Sequence, residues 1–182
     1  MRKLIIAVLC AAVLTFVGSQ QADSSRMADI PELDQVVSAA FTDSVALRTT
    51  RAGENLQRLA HVAYGTQLAW PLVWWANRDI IPDPERFSKG IAVKVPRLAA
   101  PFDQPASAEA LDAAYVLVYR RYQALPSRKP EERRWVLLQA AASGVDWPSE
   151  LWSGVLDPAD AVWAKGKLKL AAKPGITQAD TS

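Results

Sequence analysis

The side chains that could do chemistry are few, and their spacing excludes most enzymes. The chain has one His and one Cys. His61 lies between Ala60 and Val62 with no second His, no Cys and no suitably spaced carboxylate beside it. A metal or acid–base role therefore has no partner residue there. Cys10 falls inside the apolar stretch from Leu4 to Val17. There is no Gly-x-Ser-x-Gly elbow and no metalloprotease helix motif. A carboxylate pair is the one catalytic option left open. The helical block of residues 107–166 is short for a lysozyme-like cleft. The expectation is a protein that binds rather than catalyses, with no cofactor and no metal.

The binding chemistry sits in the middle of the chain. Arg51-Ala52-Gly53-Glu54 reads as a turn in which Gly53 is free to take positive φ. Asn55 is placed to cap the helix that follows, whose stripe is Leu56, Leu59, Ala60 and Ala63 and whose end is Gly65. A second helix is expected near Leu68, with Pro71 in its first turn and Trp70, Val73 and Trp74 on one side, ending at Asn77-Arg78-Asp79. Trp74 and Trp75 are neighbours and cannot both face a core. One of them either offers a stacking surface or is covered by the proline-bearing loop or the second block. Ile80 to Lys89 is that loop. Ile91 to Val95 alternates as a half-buried strand, and Pro96 is expected to stop it. Leu47 to Thr50 has the β-branched content of a partner strand. The order is strand, helix, helix, strand. It predicts an antiparallel pair with both helices on one sheet face.

These residues resemble the LysM module, a βααβ domain of proteins that bind peptidoglycan and chitin. Gly53-Glu54-Asn55-Leu56 stands where the family has its Gly-Asp-Thr-Leu turn. Leu59-Ala60, Tyr64-Gly65, Trp70-Pro71, Val73-Trp74, Asn77-Arg78, Gly90 and Pro96 follow in the family's order. The resemblance covers residues 46–98. It implies a shallow groove for a glycan of N-acetylglucosamine units. Gly53, Glu54, Asn55 and Leu56 would line one side of it, and Ile80, Ile81 and Pro82 the other. Acetamido groups need backbone N–H and C=O partners and an apolar wall for the methyl, which a turn with Gly can bring close. Glu54 replaces the usual Asp, Asn55 replaces the usual Thr, and the Gln usual after the last Gly is absent. The module is single, where family members often gain avidity from several.

The remaining segments frame this module. Met1-Arg2-Lys3, the apolar run Leu4–Val17 and the small residues Gly18 and Ser19 read as a secretory signal peptide, residues 1–19. An uncleaved N-terminal anchor is the alternative. Cleavage would remove Arg2, Lys3 and Cys10, leaving a thiol-free chain with equal acidic and basic counts. The full chain of 182 residues carries only +2, which does not point to nucleic acid. Residues 20–45 read as a linker with a short helix from Pro31 to Phe41, and residues 99–106 as a second linker. A helix is expected from Ser107 through Leu111, Tyr115, Val118, Tyr122 and Leu125. Another is expected from Pro130, with Trp135, Leu138 and Ala142 facing inward. Residues 167–182 read as a flexible tail. Arg120, Arg121, Arg128, Lys129, Arg133 and Arg134 form a basic cluster among Glu131 and Glu132. It reads as a solvated face with salt pairs, or as an attraction to anionic wall polymer or lipid head groups.

The sequence as a whole predicts an α+β protein, a βααβ LysM module followed by a small all-α block. It would be exported to the periplasm or the cell wall, without stable membrane insertion after signal cleavage. It would dock on peptidoglycan and could hold an envelope protein through its helical block. The alternative function is an envelope protein–protein or ion-binding structural protein that keeps the fold without binding glycan.

Overall fold

The computed structural model of the protein describes residues 31–125, 130–145 and 147–171. The expected signal peptide, the first residues of the linker after it and the end of the tail lie outside the described residues. Those described from Leu33 onward belong to one compact unit. They form six α-helices and one two-stranded antiparallel sheet, a mixed and mostly helical α/β architecture. The order is α1 (Pro31–Ala39), β1 (Phe41–Thr49), α2 (Leu56–Tyr64), α3 (Trp70–Trp75), β2 (Ala92–Leu98), α4 (Pro105–Ala124), α5 (Pro130–Ala142) and α6 (Pro158–Ala171). Short 3-10 turns at Gln67–Ala69 and Glu150–Trp152 precede α3 and α6.

The strand pair is longer than the sequence suggests. β1 begins at Phe41, and β2 runs through Pro96 to Leu98. Arg48 pairs with Val93, Ala46 with Val95 and Val45 with Pro96, and the register slips between Phe41 and Val45. Thr50 donates its N–H to Ile91 O at 3.0 Å, so the alternation along the ladder turns the backbone groups of Lys94 and Pro96 away from β1. Proline is tolerated there because no ladder hydrogen bond asks for its N–H. The Asn77 carboxamide covers this outer edge. It accepts the Lys94 N–H and donates to the Lys94 and Val73 carbonyls, each at 2.7 Å. The Tyr64 hydroxyl donates to Pro96 O at 2.7 Å, and burial pushes its pKa well up.

Local signals set α2. The Asn55 side chain accepts the Arg58 N–H at 2.8 Å, and Gly65 closes the helix at φ 77°. Leu56, Leu59 and Ala60 are buried, whereas Ala63 is exposed. In α3, Trp70, Leu72, Val73 and Trp74 are buried. Trp75 is held by neither of the partners expected for it. Its indole N–H donates to Asp34 of α1 at 2.7 Å, its ring stacks on Phe41 at 5.7 Å, and the Arg78 guanidinium lies 4.9 Å from its centroid.

The centre of the unit is α4, which is buried all round from Ala110 to Tyr119 rather than along one face. It starts at Pro105, a favoured first helical position. Ser107 is inside the helix and donates its hydroxyl to Ala100 O at 2.8 Å instead of capping the N-terminus. One side of α4 meets the βααβ segment: Tyr115 donates to Leu68 O at 2.6 Å and packs edge-to-face on Trp70. The Trp70 indole in turn donates to Gln139 of α5 at 2.7 Å. The other side meets the C-terminal elements, with Asp112 accepting from Trp152 Nε1 at 2.7 Å and from the Ser149 hydroxyl.

Two expectations for the C-terminal half are corrected. Val136, Leu137 and Ala140 of α5 face inward, while Trp135 is 57 % exposed and Ala142 is exposed. The reason is Asp160, fully buried at the start of α6, which draws both Arg133 and Arg134 toward it and so sets the rotation of α5. The helix α6 also extends to Ala171, past the expected start of the tail. Its last residues Lys167-Leu168-Lys169-Leu170-Ala171 are all good helix formers.

Candidate functional site

The Gly53 turn joins the end of β1 to the start of α2 and is held by several hydrogen bonds. Gly53 adopts φ 76° and is exposed. Glu54 N donates to Arg51 O at 3.3 Å, and the Glu54 carboxylate accepts the Arg51 N–H at 2.7 Å. The same carboxylate pairs with Arg48 of β1, and its side chain is nearly buried. Thr50 braces the turn from below: its hydroxyl donates to Ser88 O at 2.8 Å, and its backbone O accepts the Gly90 N–H at 2.9 Å. Sequence reasoning did not single out Arg48, Thr50 or Ser88, and the short-range alternation there carries no sign of these contacts.

The second expected wall is the start of the long loop. Ile80 is exposed, Pro82 is exposed, and Ile81 between them is 1 % exposed. Ile81 N donates to Asn77 O at 2.8 Å, and Ile81 O accepts the Trp74 indole N–H at 3.0 Å. Pro82 O accepts from Arg121 of α4 at 2.6 Å. The loop is therefore seated on α3 and α4, while the Gly53 turn is seated on β1 and residues 88–91.

Of the seven expected groove residues, Gly53, Asn55, Ile80 and Pro82 present themselves to solvent. Asn55 serves as the α2 cap, with its donor amide outside that bond. Leu56, 1 % exposed, and Ile81 have their side chains in the core. Glu54 is engaged within its own turn. What these residues leave at the surface is thus backbone and uncharged side chains. No protein-family model matches this chain. No curated protein and no solved structure matches it either. Among the described residues, no three His, Cys, Asp or Glu side chains converge as a metal site would require.

Two further clefts flank the sheet. One, of about 360 Å³, lies between α1 and the outer face of the strands and is lined by Phe41, Val45, Trp75, Arg78 and Lys94 among others. Its indole is already engaged by the stacked Phe41 ring and by the Arg78 guanidinium. The other, of about 780 Å³, is lined by Ala46, Ala63, Tyr64, Val95, Leu98 and Phe102 among others. Tyr64 and Phe102 meet edge-to-face across it at 6.0 Å.

Substituting Gly53 tests how the turn is held. A Cβ there meets nothing within 4 Å, so Gly53→Ala costs only the left-handed backbone, about 1–2 kcal/mol. Urea unfolding reads this directly. A loss of several kcal/mol would mean that the turn is packed rather than open.

Proposed function

We infer that this chain is an exported, non-catalytic protein whose LysM-like βααβ segment, residues 46–98, docks on peptidoglycan. The observation that carries the reading is the order β1–α2–α3–β2 closed by an antiparallel strand pair, with an exposed left-handed Gly53 turn leading directly into a capped helix. The N-acetylglucosamine chain lies against the Gly53-Glu54-Asn55 backbone and the exposed Ile80 and Pro82. The basic and apolar start of the chain supports export to the periplasm or cell wall. No helix among the described residues is long and apolar enough to cross a membrane.

The test is co-sedimentation of the full chain with purified, protein-free peptidoglycan at low salt. The expected result is protein in the pellet, reduced by Gly53→Ala and Ile80→Ala. Recovery of all the protein in the supernatant would overturn the reading.

A second reading is favoured by the burial of Leu56 and Ile81 and by the Glu54–Arg48 pair. In it the fold is kept, and the segment serves as a structural platform for an envelope protein. Tight capture of one envelope protein together with no affinity for glycan supports that reading over the first.

A further inference from the structure

We propose that the outer face of α6, with Trp135 of α5, is a docking surface for an anionic lipid bilayer. Val162, Gly166 and Leu170 recur every four residues and so form one stripe along α6. Val162 is 72 % and Leu170 49 % exposed, far more than a helix packed on both sides would leave. Trp163 lies beside this stripe and meets Trp135 edge-to-face at 6.2 Å, and Trp135 is itself more than half exposed. The apolar surface is therefore contributed by two helices and includes two indoles.

Charge decides what such a surface fits. Lys165, Lys167 and Lys169 are all exposed around the stripe, and the Lys167 ammonium lies 5.8 Å from the Trp163 centroid. The only acidic residue of α6 is Asp160. It is buried and neutralised by Arg133 and Arg134, so it does not offset the lysines. Glu131, one turn before Trp135, is exposed, and the three lysines outweigh it. The partner is accordingly anionic with an apolar layer beneath its charge.

A bilayer meets both requirements better than an acidic protein does. Lysine is depleted in protein–protein interfaces. Beside an apolar stripe, however, its alkyl stem lies along the surface while its ammonium reaches the head groups. Indoles with one apolar and one polar side favour the same boundary. Each lysine near an anionic leaflet strengthens partitioning about fivefold, so three amount to about a hundredfold.

The experiment is sedimentation of the full chain with two vesicle types at low salt, phosphatidylcholine alone and equal parts phosphatidylcholine and phosphatidylglycerol. The parent is expected to prefer the anionic vesicles by about two orders of magnitude. The triple variant Lys165→Gln, Lys167→Gln, Lys169→Gln loses that preference. Val162→Ser with Leu170→Ser weakens binding to both vesicle types while keeping the preference. These side chains are exposed, so the variants should retain the parent's urea midpoint, and the stretch Leu4–Val17 is common to all of them. Brominated acyl chains should quench tryptophan fluorescence in the parent and less in Trp135→Phe. Equal binding to the two vesicle types, binding unchanged in the triple variant, or no quenching in the parent would each overturn the proposal. So would binding to soluble polyglutamate that matches vesicle binding and ignores Val162 and Leu170, which would assign the face to an acidic macromolecule.

Discussion

Replacing Asn77 by Ala is expected to lower the unfolding free energy by about 3 kcal/mol, although it removes few atoms. The Asn77 side chain is buried at the end of α3 and makes three hydrogen bonds of 2.7 Å. Each is worth about 1 kcal/mol net, and a buried backbone group left without a partner costs about 1–3 kcal/mol. Water can reach part of the strand edge, because Lys94 itself is exposed, which keeps the total near the lower end. Asn77→Asp is expected to be at least as harmful at neutral pH. It keeps the acceptor for the Lys94 N–H but turns a carboxylate toward the carbonyls of Val73 and Lys94. Urea unfolding followed by circular dichroism measures both. A loss below about 1 kcal/mol for Asn77→Ala would mean that solvent replaces the clip at no cost.

Asp160→Asn is the second large effect, again about 3 kcal/mol, and it comes with a pH signature. Burial alone pushes the Asp160 carboxyl up, but the hydrogen bonds from Arg133, Arg134 and Tyr119 outweigh it and hold the pKa below the ordinary value. Arg133 is raised in return, chiefly by its bond to Asp160. Tyr119, pushed up to about 12 mainly by burial, donates its hydroxyl to Asp160 at 2.8 Å. Removing one partner of a buried ion pair costs about 3–5 kcal/mol. Arg133 and Arg134 remain about one-fifth exposed and can turn toward water, which favours the lower figure. A depressed carboxyl stabilises the fold fully above the unfolded value, near pH 4, and that stabilisation is lost as the pH falls through the folded value. The parent should therefore lose stability steeply in acid. Asp160→Asn should show a flatter acid limb, and the two curves should converge at low pH. Parallel curves would show that Asp160 does not carry the acid sensitivity.

What could be read in the sequence was mostly what neighbours in sequence decide. Gly53, Asn55 and Gly65 declare their turn, cap and stop within a few residues, and the structure places all three accordingly. The strand–helix–helix–strand order follows from alternating and helical apolar patterns, and it is present. Contacts between distant residues were not readable. Pro96 looked like a strand terminator because sequence does not say which edge of a strand its nitrogen faces. Trp135 looked buried because the pull of Asp160 on Arg133 and Arg134 spans more than two dozen positions. The resemblance put Glu54 in the groove wall, and nothing in the sequence shows that Arg48, six residues earlier on β1, pairs with its carboxylate. Of the expected groove, the exposed backbone at Gly53 and the side chains of Asn55, Ile80 and Pro82 remain the surface to test. The resemblance put Leu56 and Ile81 in the groove wall, whereas the apolar stripe of α2 already placed Leu56 inward, and both side chains are buried.

The two edges of the sheet are treated differently, and this limits how copies of the protein can join. Along β2 the outward-facing groups of Lys94 are taken by Asn77, and Pro96 has no N–H to offer. Along β1 the backbone groups of Val45, Leu47 and Thr49 face away from β2, and the residues from Thr42 to Leu47 are exposed. A strand added to this sheet must therefore add at β1. Open-ended growth needs two receptive edges on every copy, one to give and one to take. Among the described residues the sheet offers one, at β1, so stacking of copies strand upon strand ends at a pair.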